Sequence, residues 1–248
     1  MLNQEEKIEI LYVSSVTSEE VYKKLENILD KPMKYSIQKF HNLIIKGIAK
    51  EENVSITAVC GLPIDRNNTK KTVFKKEINE NKNIKYIHIG FFNIPIIKQF
   101  NICSGMIKQF LSWYKKNKKN PNKIIICDAS YVTVMPILVF ISKLLKIKKV
   151  AIVADIYEYM SDKLENREKI SIIKRIITRM CMYCWKNYDG FVLLTEQMSQ
   201  IVNEQNKPYI VMEGLVLKET ENVENLTKDN YIMYARRPSL YIWNKRFN

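Results

Sequence analysis

A doubly wound α/β domain, with a mainly parallel, Rossmann-like sheet and helices on both faces, is predicted by three observations. Short apolar runs rich in Ile and Val recur along the chain, helical patterns lie between them, and 248 residues suffice for one such domain with a sizeable core. The first run, Ile8–Val13, follows a polar start and leads to the helical stretch Ser36–Lys50 and the strand Val54–Val59. The strand Ile84–Ile89 precedes the long helix Ile96–Asn117, and Lys123–Cys127 precedes the helix Val132–Leu145. The strand Val150–Ala154, the helix Glu165–Lys186, the strand Phe191–Leu194, the helix Glu196–Asn203 and the strand Tyr209–Met212 complete the alternation.

Composition narrows the function classes. With 46% hydrophobic and 27% charged residues the chain is globular rather than disordered. The five cysteines, Cys60, Cys103, Cys127, Cys181 and Cys184, are odd in number and sit mostly in apolar runs, as free core thiols of a reducing compartment do. The amino terminus has no basic region followed by a long apolar one, so secretion is not expected and the location reads as cytoplasmic. The longest apolar run, Tyr131–Ile141, contains Pro136 and falls short of the roughly 20 residues that span a bilayer. It reads as a helix buried against the sheet.

In a doubly wound sheet the ligand sits outside the carboxyl ends of the strands, at the switch point. The loops there carry Ser14 and Ser15, Gly61–Asp65, Gly90–Asn93, Asp128–Ser130, Asp155–Tyr159, Thr195 and Glu196, and Glu213 and Gly214. The six glycines are too scattered for GxGxxG or a P-loop, so a bound dinucleotide or ATP loses its main support.

Four segments in order, the Ser14–Ser15 loop, SIQKFHNLIIKGIAKEENVSITAVCGLP (Ser36–Pro63), VAIVADIYEYM (Val150–Met160) and DGFVLLTEQM with KPYIVMEGLV (Asp189–Val216), resemble the amino-terminal half of glycosyltransferase family 4, the retaining GT-B enzymes. The resemblance implies one half of a GT-B fold. In that family this half shapes the acceptor site while the carboxyl-terminal half holds the nucleotide sugar. It further implies that residues 1–217 are the acceptor-side domain, 218–230 a linker, and 231–248 the first strand of a donor domain (Tyr231–Ala235) with an aberrant tail. If A+T-rich codons are assumed for Arg236–Phe247, a one-nucleotide frame shift can give the pattern with which the family's second domain opens, so a frameshift there, real or from sequencing, is expected. The donor-binding glutamates and basic residues of the family have no counterpart. No catalytic residue, metal or cofactor is therefore assigned within the chain, and a nucleotide sugar is the donor substrate of the intact enzyme.

The resemblance places Asp155 toward the acceptor and the donor sugar, with Glu158 as its partner; the alternative is a capping Asp followed by a first-turn acid. Asp128 and Ser130 line the same cleft or serve as N-caps. Ser14 and Ser15 stand where many family members have glycines that approach the donor phosphates, a departure that puts that contact in doubt. The connection Val16–Tyr35 reads as a mobile acceptor loop. Lys39 and His41 open the next helix, where His41 positions an acceptor hydroxyl or shuttles a proton, or is simply a surface histidine. Thr195, Glu196, Glu213 and Gly214 flank the interdomain cleft or make caps and turns. Cys181 and Cys184 form a CxxC with no second pair, and His88 is far along the chain, so metal binding is not expected.

The net charge of +14 needs an anionic partner or another reason. The helix Glu165–Lys186, with Ile170, Ile173, Ile177, Met180 and Cys184 on one side and Lys169, Lys174, Arg175 and Arg179 among the others, suits packing on the sheet with a basic outer face. Together with Trp113–Lys119 it points to an anionic membrane surface near a glycan or lipid-linked acceptor. No nucleic-acid recognition motif accompanies the charge. Two functions remain: the acceptor half of a transferase, inactive alone, or a noncatalytic membrane-associated module that pairs with a separately encoded donor domain.

Overall fold

The computed structural model describes residues 7–33, 35–156 and 172–215. In chain order its strands are β1 (Ile8–Ser14), β2 (Val54–Cys60), β3 (Val73–Phe74), β4 (Glu77–Asn81), β5 (Ile84–His88), β6 (Phe91–Phe92), β7 (Lys123–Asp128), β8 (Lys148–Val153), β9 (Gly190–Leu193) and β10 (Tyr209–Val211). The helices are α1 (Glu19–Glu26), α2 (Tyr35–Ile48), α3 (Pro95–Lys116), α4 (Met135–Leu144), α5 (Ile172–Lys186) and the short α6 (Ser199–Val202). The proposed linker 218–230, the strand 231–235, the tail 236–248, Glu158 and residues 165–171 of the long basic helix lie outside the described residues.

Eight strands form one sheet in the order β10-β9-β8-β7-β1-β2-β5-β4. Every pairing is parallel except that of β4 with β5. The chain starts in the middle with β1, moves outward through β2 and β5, then returns to β7 on the other side of β1 and moves outward again. The switch point therefore lies between β1 and β7, and Ser14 and Asp128 end the two strands that flank it.

Alternation along the strands divides the core between the two faces. Leu11, Val13, Ile125 and Cys127 point toward α3, α4 and α5, whereas Ile10, Tyr12, Ile56 and Ala58 pack with Ile44 and Ile45 of α2. Helix α3 buries Ile102, Met106, Phe110 and Trp113, a spacing of four, four and three that lays one stripe on the sheet. Each such side chain contributes about 1.5–3 kcal/mol by leaving water. In α5, Cys181, Cys184 and Trp185 are buried while Arg175 and Arg179 are exposed, the division expected of its apolar and basic sides. All five cysteines are free thiols, and burial pushes Cys184 up to about 12.

The structure departs from the sequence reading in four places. The connection Val16–Tyr35 is not a structureless acceptor loop, because it contains α1, whose Ser18 caps Val21 N with Glu19 and Glu20 in the first turn. Ser18 also ties this segment to β5, since its N–H donates to His88 Nε2 at 3.2 Å. Helix α4 starts at Met135, three residues later than expected, after turns at Ala129–Val134. The stretch from Glu196 is a 3₁₀ turn at Glu196–Met198 continued by α6. Strands β3, β4 and β6 were not expected: β4 (EINEN) is a polar edge strand, and β3 and β6 pair with each other in a separate two-stranded ribbon.

Candidate functional site

A buried hydrogen-bonded chain crosses the switch point. Tyr12, in β1, is fully buried and its hydroxyl lies 2.6 Å from His41 Nδ1. His41 Nε2 lies 3.0 Å from Asp128 Oδ2 at the end of β7. Asp128 Oδ1 accepts from Ser130 N at 2.9 Å and from Ser130 Oγ at 2.6 Å. His41 and Asp128 are each only 2% exposed. A carboxylate can only accept, so Nε2 carries the proton toward Asp128, and in the neutral ring Nδ1 accepts from the Tyr12 hydroxyl.

The electrostatics fit that assignment. Burial alone pushes the Asp128 carboxyl upward, but the hydrogen bond from His41, its charge whenever the ring is protonated, and the two Ser130 donors outweigh it, so the group is held below the usual carboxylate range. Burial, reinforced by the Asp128 charge, holds the Tyr12 phenol well above its ordinary value, which keeps it protonated as a donor. His41 is therefore not a surface histidine. With both ring nitrogens engaged and no solvent access, it cannot reach an acceptor hydroxyl either. Its role is to tie α2 to the ends of β1 and β7. Asp128 and Ser130 cap no helix, because the N-cap of α4 is Val134 and makes no side-chain bond.

The other candidates spread along the carboxyl rim. Ser14 is buried, its Oγ accepting from Val16 N at 3.1 Å and its carbonyl from Gly61 N at 3.2 Å. Ser15 is half-buried, and its carbonyl accepts from Gln38 Nε2 at 2.8 Å. Ser130 and Asp155 are exposed, beyond β7 and β8. Lys39 is exposed on α2, two residues from His41, and so does not share its face. Thr195 and Glu196 follow β9, with Glu196 bonded to the Tyr209 hydroxyl, and Glu213 and Gly214 are exposed beyond β10. Gly214 needs no special conformation, since no glycine has positive φ and a Cβ there would meet nothing within 4 Å.

Among the described residues, the rim of β1, β7, β8, β9 and β10 presents Ser15, Ser130, Asp155, Thr195, Glu196 and Glu213, hydroxyls and carboxylates, with no lysine or arginine among the described residues that immediately follow those strands. The charged ones among these described rim residues are acidic in a chain of net charge +14, whereas the cations Arg66, Lys70 and Lys71 follow β2 on the same edge. Sequence reading missed Tyr12 and Gln38; an isolated polar position in an apolar strand and a Gln one turn before His41 were the only signals. A cleft of about 950 Å³ opens elsewhere, between α1, α2 and the β4–β5 edge, but its Glu19 and Lys46 pair with each other and its Glu80 with Lys85. Among the described residues no cluster of His, Cys, Asp or Glu has the makings of a metal site.

No protein-family model matches the chain, and no curated protein matches it in sequence. Among solved structures it is similar to apo UGT2 of Phytolacca americana, with 8% identity and a TM-score of 0.48 over 85% of this chain and 52% of that one. It is also similar to the same enzyme complexed with UDP-2fluoro-glucose and pterostilbene, with 7% identity and a TM-score of 0.46 over 85% of this chain and 54% of that one. A UGT transferase from Siraitia grosvenorii in complex with UDP gives 11% identity and a TM-score of 0.46 over 83% of this chain and 50% of that one. The chain spans about half the length of these structures. A likeness this distant concerns the path of the backbone and says nothing about chemistry.

Proposed function

We propose that this chain is the acceptor-side half of a retaining GT-B glycosyltransferase of the family 4 kind. It would hold a glycan or lipid-linked acceptor while a donor-side domain supplies the sugar from a nucleotide sugar. The observation that carries this reading is the chemistry of the described rim residues from the switch point outward to β10. A diphosphate is held by converging backbone N–H groups and cations, and it is disfavoured beside Asp155, Glu196 and Glu213. A polyhydroxylated acceptor suits the same groups, since the hydroxyls both accept from and donate to sugar hydroxyls and the carboxylates accept from them. Leaving-group stabilisation, usually a large part of catalysis, has to come from the other half. Acceptor-contact roles for Ser15, Ser130, Lys39, Asp155 and Glu158, a supporting role beneath them for the buried Ser14 and Asp128, and cleft roles for Thr195, Glu196, Glu213 and Gly214 belong to this proposal. Of these, Ser15, Ser130 and Asp155 are the most accessible near the switch point.

The sequestered His41 favours a second reading, a noncatalytic module that recruits an acceptor or an anionic membrane surface for a separately encoded donor domain. A transfer assay separates the two. The full chain, incubated with a panel of nucleotide sugars and a membrane lipid extract, is expected to yield no labelled product alone and product once a donor-side domain is added. Transfer by the chain alone would sink the half-enzyme account. Absence of transfer with every donor-side partner would leave the binding module.

A further inference from the structure

We infer that the β3–β6 ribbon and the first turns of α3 form a docking surface for an anionic phospholipid bilayer. The ribbon follows the carboxyl ends of β2 and β5, so it stands on the same edge of the sheet as the switch point. Its inner side is closed by Phe74 and Phe91, stacked at 4.9 Å, with the Lys71 and Lys98 ammonium groups 5.3 and 5.2 Å from their ring centres. Its outer side carries Val73 and Phe92, directly paired across the ladder and both exposed. Asn101 Oδ1 accepts from Phe92 N at 3.1 Å, which sets the beginning of α3 against the ribbon. There Ile96 and Phe100, one turn apart, are 85% and 74% exposed, with Ile97 beside them.

Exposed apolar side chains in this density on one edge mark a contact surface. Charge decides what it contacts. From residue 66 to residue 76 the chain carries Arg66, Lys70, Lys71, Lys75 and Lys76 and no carboxylate, and the four lysines are exposed. A second copy of a chain with net charge +14 would be repelled, whereas an anionic bilayer accepts both the protruding apolar side chains and the lysines at headgroup depth. Among the described residues no helix is long and apolar enough to cross a membrane, so the contact is interfacial.

The basic segment at Trp113–Lys119 does not share this surface. Helix α3 has 22 residues, roughly 33 Å in length, and runs from the ribbon to the opposite edge of the sheet. Trp113 is buried, and Lys115–Lys119 line a cleft of about 670 Å³ beside Lys7 at the start of β1. A flat bilayer meets one end or the other. The ribbon end places the lipid next to the rim where a lipid-linked acceptor would be read, and only in that placement does the inference rest on the proposed function.

Vesicle co-sedimentation of the full chain, read without any sugar transfer, tests it independently. The chain is expected to bind phosphatidylglycerol-containing vesicles and not pure phosphatidylcholine vesicles, with binding weakened by salt. Phe92→Ser with Phe100→Ser should lower the partition constant by roughly tenfold or more, and Lys75→Glu with Lys76→Glu comparably. Lys118→Glu with Lys119→Glu should change it little. All these side chains are exposed, and unchanged circular dichroism melting of each variant separates lost docking from lost folding. Equal binding to both vesicle types, full binding by the double Phe variant, dependence on Lys118 and Lys119 instead, or a dimer abolished by the Phe substitutions would each overturn the inference.

Discussion

Asp128→Ala is expected to destabilise the chain by roughly 3–5 kcal/mol, a fall in melting temperature on the order of 10 °C, read by thermal or urea unfolding. The substitution removes three hydrogen bonds at once, those from His41 Nε2, Ser130 N and Ser130 Oγ. It also leaves the His41 ring buried with a donor that has nowhere to turn. Asp128→Asn should cost less, about 1–2 kcal/mol, because its oxygen still accepts from Ser130 and its amide can donate to Nε2 if the ring switches tautomer. Nitrogen chemical shifts of His41 would show that switch.

The same pair gives the acid limb of the stability curve. The Asp128 carboxyl is depressed in the folded chain, so its stabilisation is fully present above the unfolded value of about 4 and is lost as pH falls through the lower folded value. Asp128→Asn should flatten the pH dependence of unfolding below pH about 4. An unchanged acid slope would mean that other carboxyls carry it.

Gly90→Ala is the second large effect, and its cause is space rather than conformation, since no glycine here has positive φ. A Cβ at Gly90 would lie 2.6 Å from Lys76 N and 3.0 Å from Phe74 O, both backbone atoms. The β3 segment has to move away from the end of β5. The expected cost is about 1–3 kcal/mol, with faster amide exchange in the ribbon and weaker vesicle binding although no apolar side chain is lost. Wild-type exchange in the ribbon of this variant would show that the approach is looser than the distances imply.

The parts of the fold legible in the sequence are those whose physics is local. The seven strands drawn from Ile- and Val-rich runs all exist, within a residue or two at their ends, because a strand covered on both faces has to be apolar. Strand β4 escaped because an edge strand can be polar, and the ribbon because two residues make no pattern. Helix α1 was legible in Ser18, Glu19 and Glu20 but lay in a stretch read as loop. At the site, the positions of Ser14, Asp128 and Asp155 at strand ends followed from the sheet type, whereas the burial of His41 did not. That burial depends on a partner 87 residues away and on a tyrosine that looked like any other strand residue.

The most direct test of the acceptor-side account is a calorimetric titration of the full chain with glycan and lipid-linked acceptors and, separately, with nucleotide sugars. The account predicts that an acceptor binds, that Asp155→Ala and Ser130→Ala weaken it by roughly fivefold or more, the loss of about one hydrogen bond to a charged or bound group, and that nucleotide sugars bind far less well. Tight binding of a nucleotide sugar, with acceptors indifferent to both substitutions, would contradict it.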